Sequence, residues 1–298
     1  MRVAFDMSSF MWTALLAGKD LEHGYEVPHP EKADKKVWIN SAHWGYENIV
    51  NMMTKVLGQF QLAPIDMIMV FEGLHAKKPR RQIEATYKDS DDRAPEAYAE
   101  FEKLRTLMHD TWLSLGATAV QQDYVEGDDV LAWLARETEQ DLVIATGDRD
   151  LTILNGTNHY GAKILVRYND EKIGVNPYGV WDLRLIPVHK ALVGDSGDKI
   201  KGVVGFGPGK WVDMLVQYGE EGLFQIQDLL ERTGKLGDLH SQVDECKLIK
   251  MICEQEAQCH RSYLLGKLHP EWVNTLINPL QWKAGMVKAA EGRPDERL

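Results

Sequence analysis

Asp6 closes the run VAFD, Glu72 closes IMVFE, and Glu126, Asp128 and Asp129 stand in VEGDDVL. Asp148 and Asp150 follow in ATGDRDL, and Asp195 and Asp198 in VGDSGDKIKG. Most of these acids end an apolar, strand-like run or open a helix-like one. Such positions converge on one edge of an α/β sheet. Crowded carboxylates repel one another and raise each other's pKa unless a cation lies between them. Hard divalent cations such as Mg²⁺ take oxygen ligands, keep several waters and need few direct protein bonds. An acid set of this kind suits metal-dependent hydrolysis of phosphodiesters.

Each acid also has a plainer explanation. Asp6 ends an apolar strand, where an unpaired buried acid is costly; it could instead cap a helix, a task Ser8 and Ser9 would do equally well. Acids are favoured in the first turn of a helix, which accounts for one of Glu126, Asp128 and Asp129 but poorly for all three. Asp148 and Asp150 follow the buried run LVIA, and a turn aspartate plus a cap would give the same letters. Asp195 and Asp198 are three apart and could share one cation. Beyond them, Gly202, Gly205, Gly207 and Gly209 form a turn whose N–H groups can approach phosphate, leading into a helix near Pro208 or Gly209. Lys199, Lys201 and Lys210 add charge. A glycine-rich surface loop is the plainer alternative. Trp211 stands where a Walker motif needs Ser or Thr.

The elements that must hold these groups follow from apolar spacing. Strands are predicted at 2–7, 65–71, 117–121 and 142–145, and helices at 41–60, 95–115 and 128–138. Residues 18–37 read as a polar loop. Residues 74–93 lack periodicity and carry Lys77, Lys78, Arg80 and Arg81, so a mobile or arched segment with little core contact is expected; the plainer reading of these cations is a solvated run. Turns are read at Asn169-Asp170 and Asn176-Pro177. Helices then dominate, at 180–193, 208–218, 220–232 and 242–262, and residues 284–298 are expected to fray. Alternating strands and helices argue a mostly parallel sheet covered on both faces, with a boundary near residue 178.

At 298 residues, 44% hydrophobic and 27% charged, the chain has room for a sizeable core in one large domain or two modest ones. The formal net charge of −11 opposes a phosphate-rich partner, unless ions neutralise the clustered acids. Cys246, Cys253 and Cys259 lack zinc or disulfide spacing and suit a reducing compartment. No signal peptide or membrane-spanning run is read. The histidines fall in no metal or triad pattern. A cytoplasmic protein is expected, in the host cell cytoplasm if viral.

The ordered set D6…E72…ExDD(126–129)…GDxD(147–150)…GDxxD(194–198)…GxxGxGxGK(202–210) resembles the 5′-nuclease superfamily. That group includes flap endonucleases, the 5′-nuclease domain of bacterial DNA polymerase I and the 5′→3′ exonucleases of bacteriophages, which the length most resembles. The resemblance spans roughly residues 1 to 260. It implies a PIN-like α/β domain at 1–178 with a basic arch at about 74–95. It further implies a helical DNA-binding region at 179–298 with a helix–three-turn–helix. By position, Asp6, Glu72, Glu126, Asp128 and Asp129 would hold or orient one Mg²⁺, and Asp148, Asp150, Asp195 and Asp198 a second, with Mn²⁺ as a substitute. Lys88 would contact the scissile phosphate, Tyr87 would stack on a base, and Arg81 and Arg93 would join them. Lys77, Lys78, Arg80, Lys199, Lys201, Lys210 and the four glycines would hold DNA, with K⁺ at the turn. The implied substrate is DNA with a 5′ end or flap, extending to RNA–DNA hybrids, cut by a monomer during phage replication.

Two features depart from the family pattern: Glu72 where Asp is commoner, and the acids Asp89, Asp91 and Asp92 in the arch. A PIN-type ribonuclease would share the acids but not the glycine turn. A DNA-binding protein with a decayed site would not need the intact acid set. An aspartyl phosphatase would need a DxD starting at Asp6, which is absent.

Overall fold

The computed structural model describes residues 1–30, 34–89, 93–168, 172–179, 181–236, 239 and 246–273, and the backbone of 285–288. The chain runs β1 (Arg2–Asp6), α1 (Met7–Leu16), β2 (Tyr25–Pro28), β3 (Lys36–Ile39), α2 (Ala42–Phe60) and β4 (Met67–Glu72). Then come α3 (Lys78–Ile83), α4 (Pro95–Ser114), β5 (Thr118–Gln122), α5 (Gly127–Glu137) and β6 (Leu142–Thr146). β7 (Gly156–Thr157), β8 (Lys163–Tyr168) and β9 (Lys172–Ile173) precede α6 (Ile186–Val193), α7 (Pro208–Arg232), α8 (Lys247–Cys253) and α9 (Glu256–Gly266). β10 (Gly285–Lys288) comes last. Two compact units form: Met1–Ala76 with Asp91–Val175 and His269–Leu298, and Lys77–Ser90 with Asn176–Leu268.

The first unit is an α/β layer structure on a mainly parallel sheet ordered β10-β5-β4-β1-β6-β8-β7, with β9 on β8. All neighbours in that row are parallel except β7 on β8, and β9 also pairs β8 antiparallel. The runs VAF and LVIA are apolar at every position because both faces of these strands are covered. Register sets Val3 between Met67 and Val143, and Phe5 between Met69 and Ala145. These side chains bury against Met11 and Leu15 of α1, Ile49 and Met53 of α2, and Leu104 and Met108 of α4. Each such fully buried side chain contributes about 1.5–3 kcal/mol. α5 covers the opposite face: an added Cβ at its Gly127 would lie 3.9 Å from Val70 Cγ1.

Because the strands are parallel, their carboxyl ends share one edge. Asp6 pairs in register with Val70, and Glu72 with Gln122. Gly73 holds the next turn tight: a Cβ there would fall 1.7 Å from the Gln122 carbonyl oxygen.

In the second unit α6 packs on α7 and α9, and α3 and α8 on α9. α7 breaks at Gly219, whose φ is 64°, so the two predicted helices 208–218 and 220–232 meet there. Among the described residues no helix is long and apolar enough to cross a membrane.

Several expectations need correction. Residues 25–28 and 36–39 are not loop but an antiparallel ribbon, with Val27 and Ile39 buried against Ala94 and Ala97. Residues 163–168 form a strand that the charges within it concealed. The segment from residue 77 is not loosely arched where described: it forms α3 and buries Pro79, Arg80 and Tyr87. Residues 285–288, expected to fray, pair with β5. The turn at Asn169-Asp170, the acids Asp91 and Asp92, helix residues 242–245, and residues 284 and 289–298 lie outside the described residues.

Replacing Gly73 with Ala should destabilise the protein, since backbone rather than a flexible side chain blocks the new methyl. A loss of at least about 1–3 kcal/mol is expected, read as a lower denaturant midpoint. An unchanged midpoint would show that the β4 turn relaxes freely.

Candidate functional site

Asp6 uses its two oxygens differently. Oδ1 accepts the Ser9 backbone N–H at 3.1 Å and caps α1, while Oδ2 accepts the Thr146 hydroxyl at 2.7 Å. The capping role is therefore real, and one oxygen serves it. Thr146 Oγ1 accepts the Asp148 N–H at 2.9 Å, and Asp148 Oδ1 accepts the Asp150 N–H at 2.8 Å. Ser9 Oγ accepts the Gly147 N–H at 3.0 Å. Hydrogen bonds thus tie the acid turn after β6 to the end of β1. Thr146 and Ser9 are missed by the sequence reading, because nothing local marks partners so far apart along the chain.

Glu126 sits at the N-cap position of α5, yet its side chain makes no capping bond. Asp128 and Asp129 follow in the first turn. Asp129 is fully buried, and its Oδ1 accepts the His269 backbone N–H at 2.7 Å. Gln122 Nε2 donates to the Trp272 carbonyl at 3.1 Å, and the His269 ring lies flat on Trp272 at 3.8 Å. One oxygen of Asp129 is therefore committed to anchoring residues 269–272 beside α5.

Asp6 is 5% exposed, Glu126 4% and Asp129 0%. Each carboxylate taken from water costs several kcal/mol unless compensated. The N-termini of α1 and α5 supply part of that compensation. Arg149 Nε stands 3.8 Å from Asp150. Among the described residues no three His, Cys, Asp or Glu side chains stand as a ready-made metal cage. The donor chemistry still fits a hard cation, because the set is all oxygen and Mg²⁺ is held by one or two carboxylates plus waters. Asp6, Glu72, Glu126, Asp128, Asp148 and Asp150 are the residues of the first unit that could hold it. Arg93 is also in this unit, its guanidinium 4.1 Å over the Trp12 ring.

The second unit carries Asp195 and Asp198, which do come together, around a lysine the sequence reading missed. The buried Lys190 amine lies 2.9 Å from Asp195 Oδ2 and 3.3 Å from Asp198 Oδ2. Asp195 Oδ1 also accepts the Gly197 N–H at 2.9 Å. Burial would raise the Asp195 pKa, but the Lys190 charge and these hydrogen bonds outweigh it and hold the carboxyl below its ordinary value. A cation already sits where the sequence placed a metal.

The basic residues are also engaged. Arg80, 3% exposed, donates to the carbonyls of Leu265 at 3.3 Å and Lys267 at 3.0 Å, closing the end of α9. Arg81 donates to the carbonyls of Tyr87 at 3.1 Å and Lys88 at 2.7 Å. The Lys88 N–H donates to the Asp198 carbonyl at 3.2 Å, with its amine 3.6 Å from that carboxylate. Lys199 pairs with Asp89 at 2.5 Å, and Lys201 lies 3.9 Å from Glu84. Tyr87, expected to stack on a base, is instead 2% exposed and packed on Ile200 and Leu265. Its ring fills the seam between α3 and α9 because the Arg80 cap draws them together.

The glycine turn divides into structural and open parts. At Gly202 a Cβ would lie 2.5 Å from the Leu192 carbonyl oxygen, so this glycine serves backbone packing on α6. Gly207 is the N-cap of α7 and has no side-chain cap, and a Cβ at Gly207 or Gly209 meets no atom within 4 Å. Lys210 folds back on the Gly205 carbonyl at 2.5 Å.

Residues 32–177 match the family model described as 5′-3′ exonuclease, N-terminal resolvase-like domain. The chain is 27% identical over 215 residues to a 5′-3′ exonuclease of Mycoplasma pneumoniae, covering 69% of this chain and 70% of that protein. It is 26% identical over 235 residues to the flap endonuclease Xni of Shewanella baltica, covering 76% and 79% respectively. The fold matches the T5 D15 protein co-crystallised with metal ions at a TM-score of 0.60 and 15% identity, over 91% of this chain and 90% of that one.

Lys190→Met should leave Asp195 without its lysine and Asp198 with Lys88 alone. A lost hydrogen bond to a charged group costs about 1.5–3 kcal/mol, seen as a lower melting temperature. Millimolar Mg²⁺ or Ca²⁺ should restore part of that loss in the variant if the two acids accept a hard cation. A variant that melts with the wild type would show the pairing to be incidental.

Proposed function

The chain belongs to the 5′-nuclease superfamily, and from that premise we propose that it is a metal-dependent, structure-specific 5′→3′ exonuclease and flap endonuclease acting on DNA. The observation that carries this reading is the gathering of Asp6, Glu72 and the Asp148–Asp150 turn at the carboxyl ends of neighbouring parallel strands, with Glu126 and Asp128 opening α5. The finer reading has two Mg²⁺ ions, Mn²⁺ as a substitute, and primer or flap removal in phage replication. RNA–DNA hybrids are a second substrate in this proposal, and the protein acts as a monomer in the cytoplasm.

When bound, divalent ions would supply a hydroxide at neutral pH and stabilise the leaving oxygen. The protein's part is preorganisation. Asp6 is oriented by Ser9 and Thr146, so its carboxylate does not rotate freely. Glu126 is spared from capping. Asp129 is the positioning member, fixing α5 through His269. In the second unit, we assign the helix–three-turn–helix role to the glycine turn and α7. Uncapped N–H groups at Gly207 and Gly209 would meet backbone phosphate, with K⁺ beside them. Such contacts carry no sequence information, so selectivity falls on structure and a 5′ end. Lys88 would exchange Asp198 for a phosphoryl oxygen. Lys199, Lys201 and Lys210 would hold the duplex, Lys77 and Lys78 would extend that surface, and Arg93 would contribute its charge from the first unit. Arg80 and Arg81 act through the backbone they bind.

The test is a panel of 5′-labelled flap, nicked and blunt duplexes, with single-stranded RNA as competitor, in Mg²⁺ and in EDTA. Cutting near the 5′ junction with Mg²⁺ alone is expected. The double variant Asp148→Asn/Asp150→Asn should bind flap DNA normally and cut it about a hundredfold more slowly. Near-normal cleavage by that variant would refute the metal assignment, and preferential cutting of RNA would favour a PIN-type ribonuclease.

A further inference from the structure

The chains leaving β4 and β5 stay joined beyond the sheet. The Tyr124 N–H donates to the Leu74 carbonyl at 2.8 Å, and the Leu74 N–H to Asp123 Oδ1 at 3.0 Å. This junction holds two bulky residues in the left-handed backbone region, His75 at φ 57° and Tyr124 at φ 63°. Side chains rarely adopt that region without a reason, and such residues cluster where a site needs them. The core gains little here: His75 is exposed and Tyr124 only half-buried. Their rings lie side by side, centroids 5.5 Å apart and tilted by 34°. Leu74, between Gly73 and His75, is 60% exposed.

The location is specific. His75 follows Glu72 by three residues, and Tyr124 precedes Glu126 by two, just beyond the ends of the adjacent strands β4 and β5. A partly exposed aromatic pair with an exposed leucine thus borders the edge that carries the candidate metal-holding acids. Bases stack on such surfaces whatever their identity, because each presents a π-face.

We propose that Leu74, His75 and Tyr124 form a stacking site for an unpaired nucleobase of the DNA substrate next to the phosphate that is cut. The proposal rests on the nuclease reading above and adds to it the residues that receive the base. With Tyr87 buried, it places base contact on the first unit.

Glycine takes a left-handed backbone without penalty, so Tyr124→Gly and His75→Gly remove the rings while relieving the backbone. The double glycine variant should melt at or above the wild-type temperature. Binding is read in Ca²⁺ with a 5′-flap carrying 2-aminopurine at each unpaired position near the junction in turn. The wild type should quench the probe at one position. The double variant should lose that quench and bind about fivefold to a hundredfold more weakly, and Tyr124→Phe should retain both. An abasic site at that position should weaken the wild type and leave the double variant unaffected. Binding of the intact flap by the glycine variant as tight as by the wild type, or equal binding of the intact and abasic flaps by the wild type, alongside normal wild-type cleavage, overturns the stacking site and leaves the nuclease reading standing. A marked drop in melting temperature also overturns it, by making the rings a packing element. A wild type that neither binds nor cuts flap DNA removes both readings.

Discussion

Burying carboxylates together is unfavourable, and the first unit is organised around making it tolerable. A desolvated carboxylate costs several kcal/mol, and a second nearby adds repulsion. The offsets are visible at Asp6, which receives one N–H and one hydroxyl, and at Asp129, which receives the His269 N–H. Both acids lie at helix N-termini, where the peptide dipoles favour negative charge. The parallel sheet makes this possible, since only parallel strands bring β1, β4 and β6 to the same edge with helices starting beside them. The all-oxygen donor set at this edge is the physical reason that a hard cation suits it.

The second unit meets the same problem with lysine and arginine. Lys190 neutralises Asp195 and Asp198 from a largely apolar helix, and Arg80 neutralises the partial charge at the end of α9. These cations are buried and spoken for. The formal charge of −11 is therefore only loosely related to what a ligand meets. Counting lysines near the glycine turn overstates its free positive charge.

The sheet was legible because its central strands are apolar at every position, and the helices because their spacing is regular. Predicted and observed limits for 41–60 and 95–115 agree within a residue. The ribbon at 25–39 escaped because its alternation is masked by charge, and β8 because lysine and arginine lie within it. Among the acids, local spacing found the positions but not their partners. Thr146 reaches Asp6 across the sheet, and Arg80 reaches the end of α9. Such pairings exist only once the chain has folded. Tyr87 shows the converse: the family resemblance implied a ring stacked on a base, while the ring packs on Ile200 and Leu265.

For a phosphate backbone to bind the second unit, it must compete for cations already paired. Lys199 would leave Asp89, and Lys88 would leave Asp198. The exposed Lys199–Asp89 pair is worth no more than about 1 kcal/mol, the half-buried Lys88–Asp198 pair is held more firmly, and a phosphate brings counterion release as well. On the proposed function, the exchange at Lys199 would run toward DNA without large rearrangement, and back again when DNA leaves. Backbone N–H groups at the start of α7 face no such competition, since no side chain caps them. On the proposed function, affinity would then rest first on the peptide groups of the glycine turn, and the lysines would adjust it. On that reading, the open flanks at Gly207 and Gly209 would count as much as charge in a chain this acidic.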